Sequence, residues 1–432
     1  METQVIVVGG FLGAGKTTML IEVARLLEAS GRRTGIVLND QGDQLVDTAY
    51  GRAQGLDAGE VTGGCFCCRF DDLVDTTIGL AEAHGLDVVL AEAVGSCADL
   101  TATVVRPLQQ YHGLRFDVPP LTVVLEPRRW RDLADGDGTV AYLFRKQLEE
   151  APVVALHKVD LLDDAERGRV LGEVRAALPA ARVILTSAAT GEGLDELLRL
   201  WTAHGDARQG DPRQGDGGPV ADIDYATYAA AEARLAWLNV TFEVHHPRAF
   251  VPADWITRLL TGLSAECAAR GAVVGHAKAQ ASWGTEWAKA SLVRAGDAPV
   301  TALSARASAH APRASAPASA DATDASVRSA LASAQATGTS VRSAPASASS
   351  APGSARAPGA AARSPSGTAR RADVLVNARV EMDPRTLRHL LDQLVARTGA
   401  MLGTEADTVH VECFRPAPPR PTHRLAKPSG KS

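Results

Sequence analysis

The 432-residue chain has only six cysteines, 4% aromatic residues and no apolar run of membrane-spanning length. So few thiols, behind an N-terminus (METQVIVVGG) with no basic leader, argue against a disulfide-built secreted scaffold. The lack of long apolar runs argues against a membrane-spanning chain. Positive charge is not in excess: 45 Lys and Arg face 50 Asp and Glu, a formal net charge of −5. No general attraction to nucleic acid or to anionic membrane follows. A His-rich tract is also missing, which leaves a large metal-storage role unsupported. The expectation is a cytoplasmic protein with neither a nucleic-acid nor a membrane partner.

Against that scarcity, three of the six cysteines crowd into residues 63–68, GGCFCC. In a reducing compartment such closely spaced thiols stay reduced, so metal binding or redox chemistry is favoured over a structural bridge.

A chain of this length exceeds one ordinary core, and its patterning divides it. From residue 4 to about 205, apolar runs (QVIVV, RTGIVL, DVVLAEA, LTVVLE, PVVALH, RVILTS) alternate with helical patterns, the first over KTTMLIEVARLLEAS. Runs apolar at nearly every position mark parallel strands covered on both faces, so residues 1–205 are expected to form a doubly wound α/β domain. Residues 206–233 open with Gly, Asp and Arg and read as a linker. Residues 234–300 and 372–416 repeat one order of strand, helix, strand (LAWLNVTFEV, PADWITRLLTGLSAECAARG, VVGHAKAQASW; then VLVNARVEM, DPRTLRHLLDQLVARTG, TVHVECF). Two βαβ halves predict a smaller, ferredoxin-like α+β domain. Between the halves, residues 301–371 are mostly Ala, Ser, Pro, Thr, Gly and Arg, with too few large apolar residues to form a core, and read as a disordered insert; residues 417–432 read as a disordered tail.

GGFLGAGKTT (9–18) follows a strand and opens a helix, and Gly10 to Thr17 fits the phosphate-binding pattern G-x-x-x-x-G-K-[ST]. Gly10, Gly13, Ala14, Gly15 and Thr18 offer a compact backbone whose N–H groups can wrap phosphates. Lys16 supplies a cation and Thr17 a Mg²⁺ ligand. Later, LHKVDLL places Lys158 and Asp160 at the last positions of an N-K-x-D guanine signature, with His157 in place of Asn. An Asp carboxylate can accept two N–H bonds from the edge of guanine, for which adenine has no matching pair. Ser187 and Ala188, in TSAATGEG, stand where a backbone contact to the base is expected. GTP is therefore favoured over ATP. Glu92, ending DVVLAEA, stands where a P-loop sheet places the carboxylate that orients water or Mg²⁺, with Gly95 at the distance of a phosphate-sensing switch. Asn39, Asp40 and Asp47 belong to the other mobile loop or to a plain solvated one.

Cys65, Cys67 and Cys68 behind two glycines can converge on one ion, and thiolates suit Zn²⁺. Three sulfurs leave a fourth position for water, Cys97 or a partner's side chain. A buried thiol cluster and a redox-sensing trio remain alternatives. His245 and His246 end a strand, where edge packing is the simpler reading; Cys267 and Cys413 fall on core faces. No arginine finger can be identified in cis; Arg69, just after the trio, reads no better than a solvated charge.

The phosphate loop, EVTGGCFCCRFDDL, EAVGSCADL and LHKVDLL together resemble the CobW-type branch of the metal-handling GTPases related to HypB and UreG, over most of residues 4–200. The resemblance implies GTP hydrolysis with Mg²⁺, using Lys16, Thr17 and Glu92. It also implies a transition metal, Zn²⁺ by default and Co²⁺ or Ni²⁺ next, held by Cys65, Cys67 and Cys68 and delivered to a client metalloprotein. A nickel or cobalt insertion GTPase, a redox-regulated NTPase and a P-loop small-molecule kinase are the alternatives.

Overall fold

The computed structural model describes residues 2–42, 46–207, 218–303 and 367–426. The bulk of the 301–371 insert and the tail beyond 426 lie outside the described residues.

The first domain is built on β1 (Thr3–Gly10), β2 (Thr34–Asn39), β3 (Asp57–Val61), β4 (Val88–Glu92), β5 (Phe116–Asp117), β6 (Thr122–Leu125), β7 (Val153–His157) and β8 (Arg182–Thr186). They form one parallel sheet of order β3-β2-β4-β1-β6-β7-β8, with β5 also pairing β1. Successive residues of β1 serve opposite faces. Val5 and Val7 pack with Phe11, Leu73 and Phe144, while Ile6 and Val8 pack with Met19, Leu20 and Val23 of the helix Lys16–Ala29. This is the doubly wound domain expected from runs without polar alternation. Because the chain proceeds to opposite sides of β1, a crevice opens at that strand's C-terminal end, where ligands of such sheets sit. β3 escaped the sequence reading because DAGEV is a half-exposed edge strand with only Val61 buried.

The second domain contains β9 (Leu235–Phe250), β10 (Val274–Trp283), β11 (Glu286–Leu292), β12 (Val300–Leu303), β13 (Ala369–Glu381) and β14 (Glu405–Phe414). Their order, β12-β11-β10-β13-β9-β14, is antiparallel throughout. Removing the β11–β12 extension leaves β14-β9-β13-β10, the ferredoxin-like arrangement expected from the two βαβ halves. One face (Leu238, Val240, Phe242, Ala277, Ala279, Val376, Ala378) is apolar and carries the helices Pro252–Ala269 and Pro384–Leu402. Trp255 on the first of these is fully buried, and burial of a side chain of that class stabilises by about 1.5–3 kcal/mol or more.

The opposite face is polar and also buried. Asn239, His276, Gln280, Lys289, Asn377 and Arg379 are each under one-tenth exposed. Burying such groups is costly unless they are paired; Asn239, Asn377 and Arg379 bond to one another, and Lys289, Asn377 and Arg379 also find partners in the first domain, as described below.

Three expectations are corrected. Within 206–233, residues Tyr225–Glu232 form a helix capped by the Asp224 side chain, which accepts from the Ala226 N–H; Tyr228 and Ala231 are fully buried, which a solvated linker would not allow. Residues 417–426 of the expected disordered tail are ordered against the first domain, held by backbone hydrogen bonds that local composition does not reveal. β9 is interior to its sheet, so His245 is no edge residue: its ring meets Glu405 Oε2 at 3.3 Å. Cys267 is in the core, and half-buried Cys413 donates to Pro384 O at 3.1 Å.

Candidate functional site: a phosphate loop beside a thiol cluster

Gly10 has φ 132°, and a Cβ there would lie 2.4 Å from Val124 O, so only glycine lets β1 turn into the loop this closely. Gly15 (φ 102°) precedes the helix Lys16–Ala29 with no side-chain cap. The first-turn N–H groups are thus aimed at the crevice, an anion-binding arrangement. Lys16 Nζ donates to Gly10 O at 2.8 Å and stands 3.9 Å from Glu92 Oε1. Thr17 Oγ1 donates to the same carboxylate oxygen at 3.1 Å. Glu92 Oε2 is buried with no hydrogen-bond partner among the described residues. Burial raises the Glu92 pKa against the pull of Lys16, and burial lowers that of Lys16. Ala14 is buried in the loop and Thr18 faces solvent in the helix's first turn.

Across the crevice, Lys158 adopts φ 61° and donates to Gly13 O at 2.9 Å. Asp160 Oδ1 accepts from Ser187 Oγ at 2.6 Å, and Ala188 is the next residue of that loop. His157 is buried beneath the phosphate loop: a Cβ on Gly15 would lie 2.8 Å from its Cδ2, and its Nδ1 meets Thr186 Oγ1 at 3.1 Å. Burial lowers its pKa from 6.5 to about 4, so the ring is neutral near pH 7. With the folded pKa depressed, the stability attached to this ring is complete above pH 6.5 and lost as pH falls towards 4, by at most about 3 kcal/mol. Melting temperature against pH should therefore decline less steeply between pH 6.5 and 4 in His157→Asn than in the parent; parallel curves would remove this assignment.

The thiols converge. Cys65 Sγ lies 2.6 Å from Cys67 Sγ and 3.2 Å from Cys68 Sγ, and Cys67 lies 3.7 Å from Cys68 and 3.8 Å from Cys97. Cys65, Cys67 and Cys97 are buried, while Cys68 is partly open. All three trio sulfurs fit within 4.8 Å of one another, as ligands of one ion must. Hydrogen bonds from Cys65 and Cys67 lower the Cys97 pKa to about 6; its bond to Cys65 leads the rise of Cys68 to about 11. Such a set can exchange protons for a soft cation.

Residues 4–185 match the family model described as CobW/HypB/UreG, nucleotide-binding domain. This domain belongs to the CobW/HypB/UreG family. Two curated relatives, each called Zinc chaperone CobW, are similar to the chain at 31% identity. The one from Sinorhizobium sp aligns over 195 residues, 39% of this chain and 54% of that protein. The other, from Pseudomonas aeruginosa, aligns over 222 residues, 44% of this chain and 58% of that protein. The matched region thus spans little more than half the length of these relatives. Among solved structures, Zn(II)-bound YjiA GTPase from E. coli aligns over 91% of this chain and 99% of its own, at 11% identity and a TM-score of 0.31.

Residues that the sequence reading left as loop or linker connect the two halves of the CobW-type site. Asn39 Nδ2 donates to Val61 O (2.9 Å) and Gly64 O (2.7 Å), while its Oδ1 accepts from Phe66 N (2.8 Å). The end of β2 is thereby tied to the backbone carrying the thiols. Glu232, from the helix found in place of linker, accepts at one oxygen from Ser96 Oγ (2.6 Å) and Gln41 Nε2 (3.2 Å), so it bridges the loops after β4 and β2. The tail crosses the cluster. Arg420 N–H donates to Cys68 Sγ (3.1 Å), Thr422 N–H to Cys67 O (2.9 Å), and Arg424 Nε to buried Asp99 (2.6 Å). Asp163 N-caps the helix Asp164–Ala177, but no local pattern of this kind marks Glu232 or Arg420, whose partners lie more than a hundred residues away. Arg69 pairs with Asp72 at the surface, as a solvated charge would.

Proposed function

We propose that the chain is a GTP-binding and GTP-hydrolysing metallochaperone. It carries a transition metal, Zn²⁺ first, on Cys65, Cys67 and Cys68 and passes it to a client metalloprotein according to nucleotide state. The bridging of Asn39 between β2 and the thiol-bearing turn carries this reading, because any movement of the nucleotide loop after β2 must be transmitted to the sulfur ligands. Lys16 and the first-turn N–H groups bind phosphates, and Lys158, Asp160, Ser187 and Ala188 frame the base, with His157 as a neutral floor under the phosphate loop. Thr17 and the partnerless oxygen of buried Glu92 fit Mg²⁺. When bound, the ion supplies neutralisation of phosphate charge. Zinc is cargo here. Cys97, at 3.8 Å from Cys67, or an incoming client ligand could complete the coordination, and an exchangeable fourth position suits release.

The names of the curated relatives support zinc as the cargo. Zn²⁺ affinity measured with a non-hydrolysable GTP analogue and with GDP is expected to differ by roughly 5–150-fold, the range of a typical allosteric coupling. Equal affinities would sink nucleotide control. The 2.6 Å approach of Cys65 and Cys67 also favours a redox-regulated NTPase; activity lost to oxidant, restored by thiol and indifferent to chelator would select that reading instead.

A further inference from the structure

The polar face of the second sheet closes over the loop that follows β2. Arg379 pairs with Asp40 at 2.5 Å, Val46 N–H donates to Asn377 Oδ1 at 2.7 Å, and Asp47 is gripped by Lys278 and, at 3.0 Å, by Lys289. The same sheet reaches the phosphate loop. A Cβ on Gly13 would lie 2.8 Å from Val293 Cγ1 and 3.3 Å from Gly275 O, and Arg129 donates to the carbonyls of Val274 and Gly275. Lys278 is three residues along β10 from Gly275, on the face shared with His276.

Asp47 is one carboxylate for two ammonium groups, whose side chains are 16% and 7% exposed. A buried surplus cation is costly unless an anion visits it. Lys289 has a further partner, since its Nζ lies 4.0 Å over the Tyr50 ring. Lys278 has no other bonded partner among the described residues, and it is near enough to lower the pKa of Lys16 and to oppose the rise of Glu92.

We propose that Lys278 is a nucleotide-site cation supplied by the second domain, paired with Asp47 when no triphosphate is bound and turned to a non-bridging γ-phosphate oxygen when one is. The inference rests on the reading of residues 9–18 as a triphosphate site. It gives the second domain a direct way to sense the nucleotide, since a diphosphate has no oxygen to offer at that point. Lys278 would strengthen binding through a charge-assisted contact to the terminal phosphate alone.

The test is equilibrium binding of a fluorescent GDP and a fluorescent non-hydrolysable GTP analogue, with Mg²⁺, to the full chain. Lys278→Gln is expected to weaken the triphosphate analogue about tenfold or more and the diphosphate less than about twofold, with Lys278→Arg recovering most of the difference and Lys289→Gln showing little preference. Should Lys278→Gln destabilise the fold, the double variant Asp47→Asn, Lys278→Gln keeps the local charge balance and must lose the same preference. Equal losses for both nucleotides, no loss, or a matching effect in Lys289→Gln would overturn the role of Lys278 while leaving the triphosphate site standing. A parent protein that binds neither nucleotide would overturn that underlying reading itself.

Discussion

Replacing Cys67 with Ser should lower Zn²⁺ affinity by more than the roughly 10–100-fold that changes outside a metal's ligand shell cost. Cys67 is the central sulfur, within 2.6 Å of Cys65, 3.7 Å of Cys68 and 3.8 Å of Cys97, so its loss removes a ligand and the link to the candidate fourth one. A serine hydroxyl is a hard, weakly acidic donor that does not become an anion on Zn²⁺ as readily as a thiol. Nucleotide affinity should be largely kept, because Phe66 N–H and Gly64 O still hold Asn39. Cys413→Ser provides the contrast: Cys413 donates to Pro384 O in the second domain, and its replacement should leave zinc binding untouched. Competition titration against a chromophoric chelator measures both. Equal zinc affinity in the parent and Cys67→Ser would end the metal reading of the trio.

Glu92→Gln should reduce GTP turnover by on the order of 10²–10³-fold, the scale lost when one preorganised charge is removed from a reacting centre. The substitution keeps shape and the hydrogen bond from Thr17, yet removes the charge that faces Lys16 at 3.9 Å and the oxygen that fits Mg²⁺. Burial disfavours the ionised carboxylate, but the amide leaves buried Lys16 without its facing charge, so some loss of stability is expected beside the loss of turnover. Single-turnover hydrolysis beside a melting curve separates the two effects. Undiminished turnover in a folded variant would remove Glu92 from the reaction and shift attention to the partners of Ser96 and Gln41.

Parallel β1 and its helix were legible because hydrophobic burial is written locally: QVIVV must be covered on both sides, and the glycines of GGFLGAGKTT permit backbone angles that other residues resist. The repeated strand, helix, strand pattern likewise specified the ferredoxin-like order, and the Cys spacing specified converging sulfurs. Tertiary structure alone decided that 225–232 is a helix bridging the loops after β2 and β4 through Glu232, that residues 417–426 lie across the thiols, and that the second sheet turns a polar face to Asp40 and Asp47. Those features rest on hydrogen bonds and ion pairs between residues from 136 to 352 positions apart. Periodicity reports which side of an element is buried by apolar contact, but it carries no information about which distant partner satisfies a buried charge.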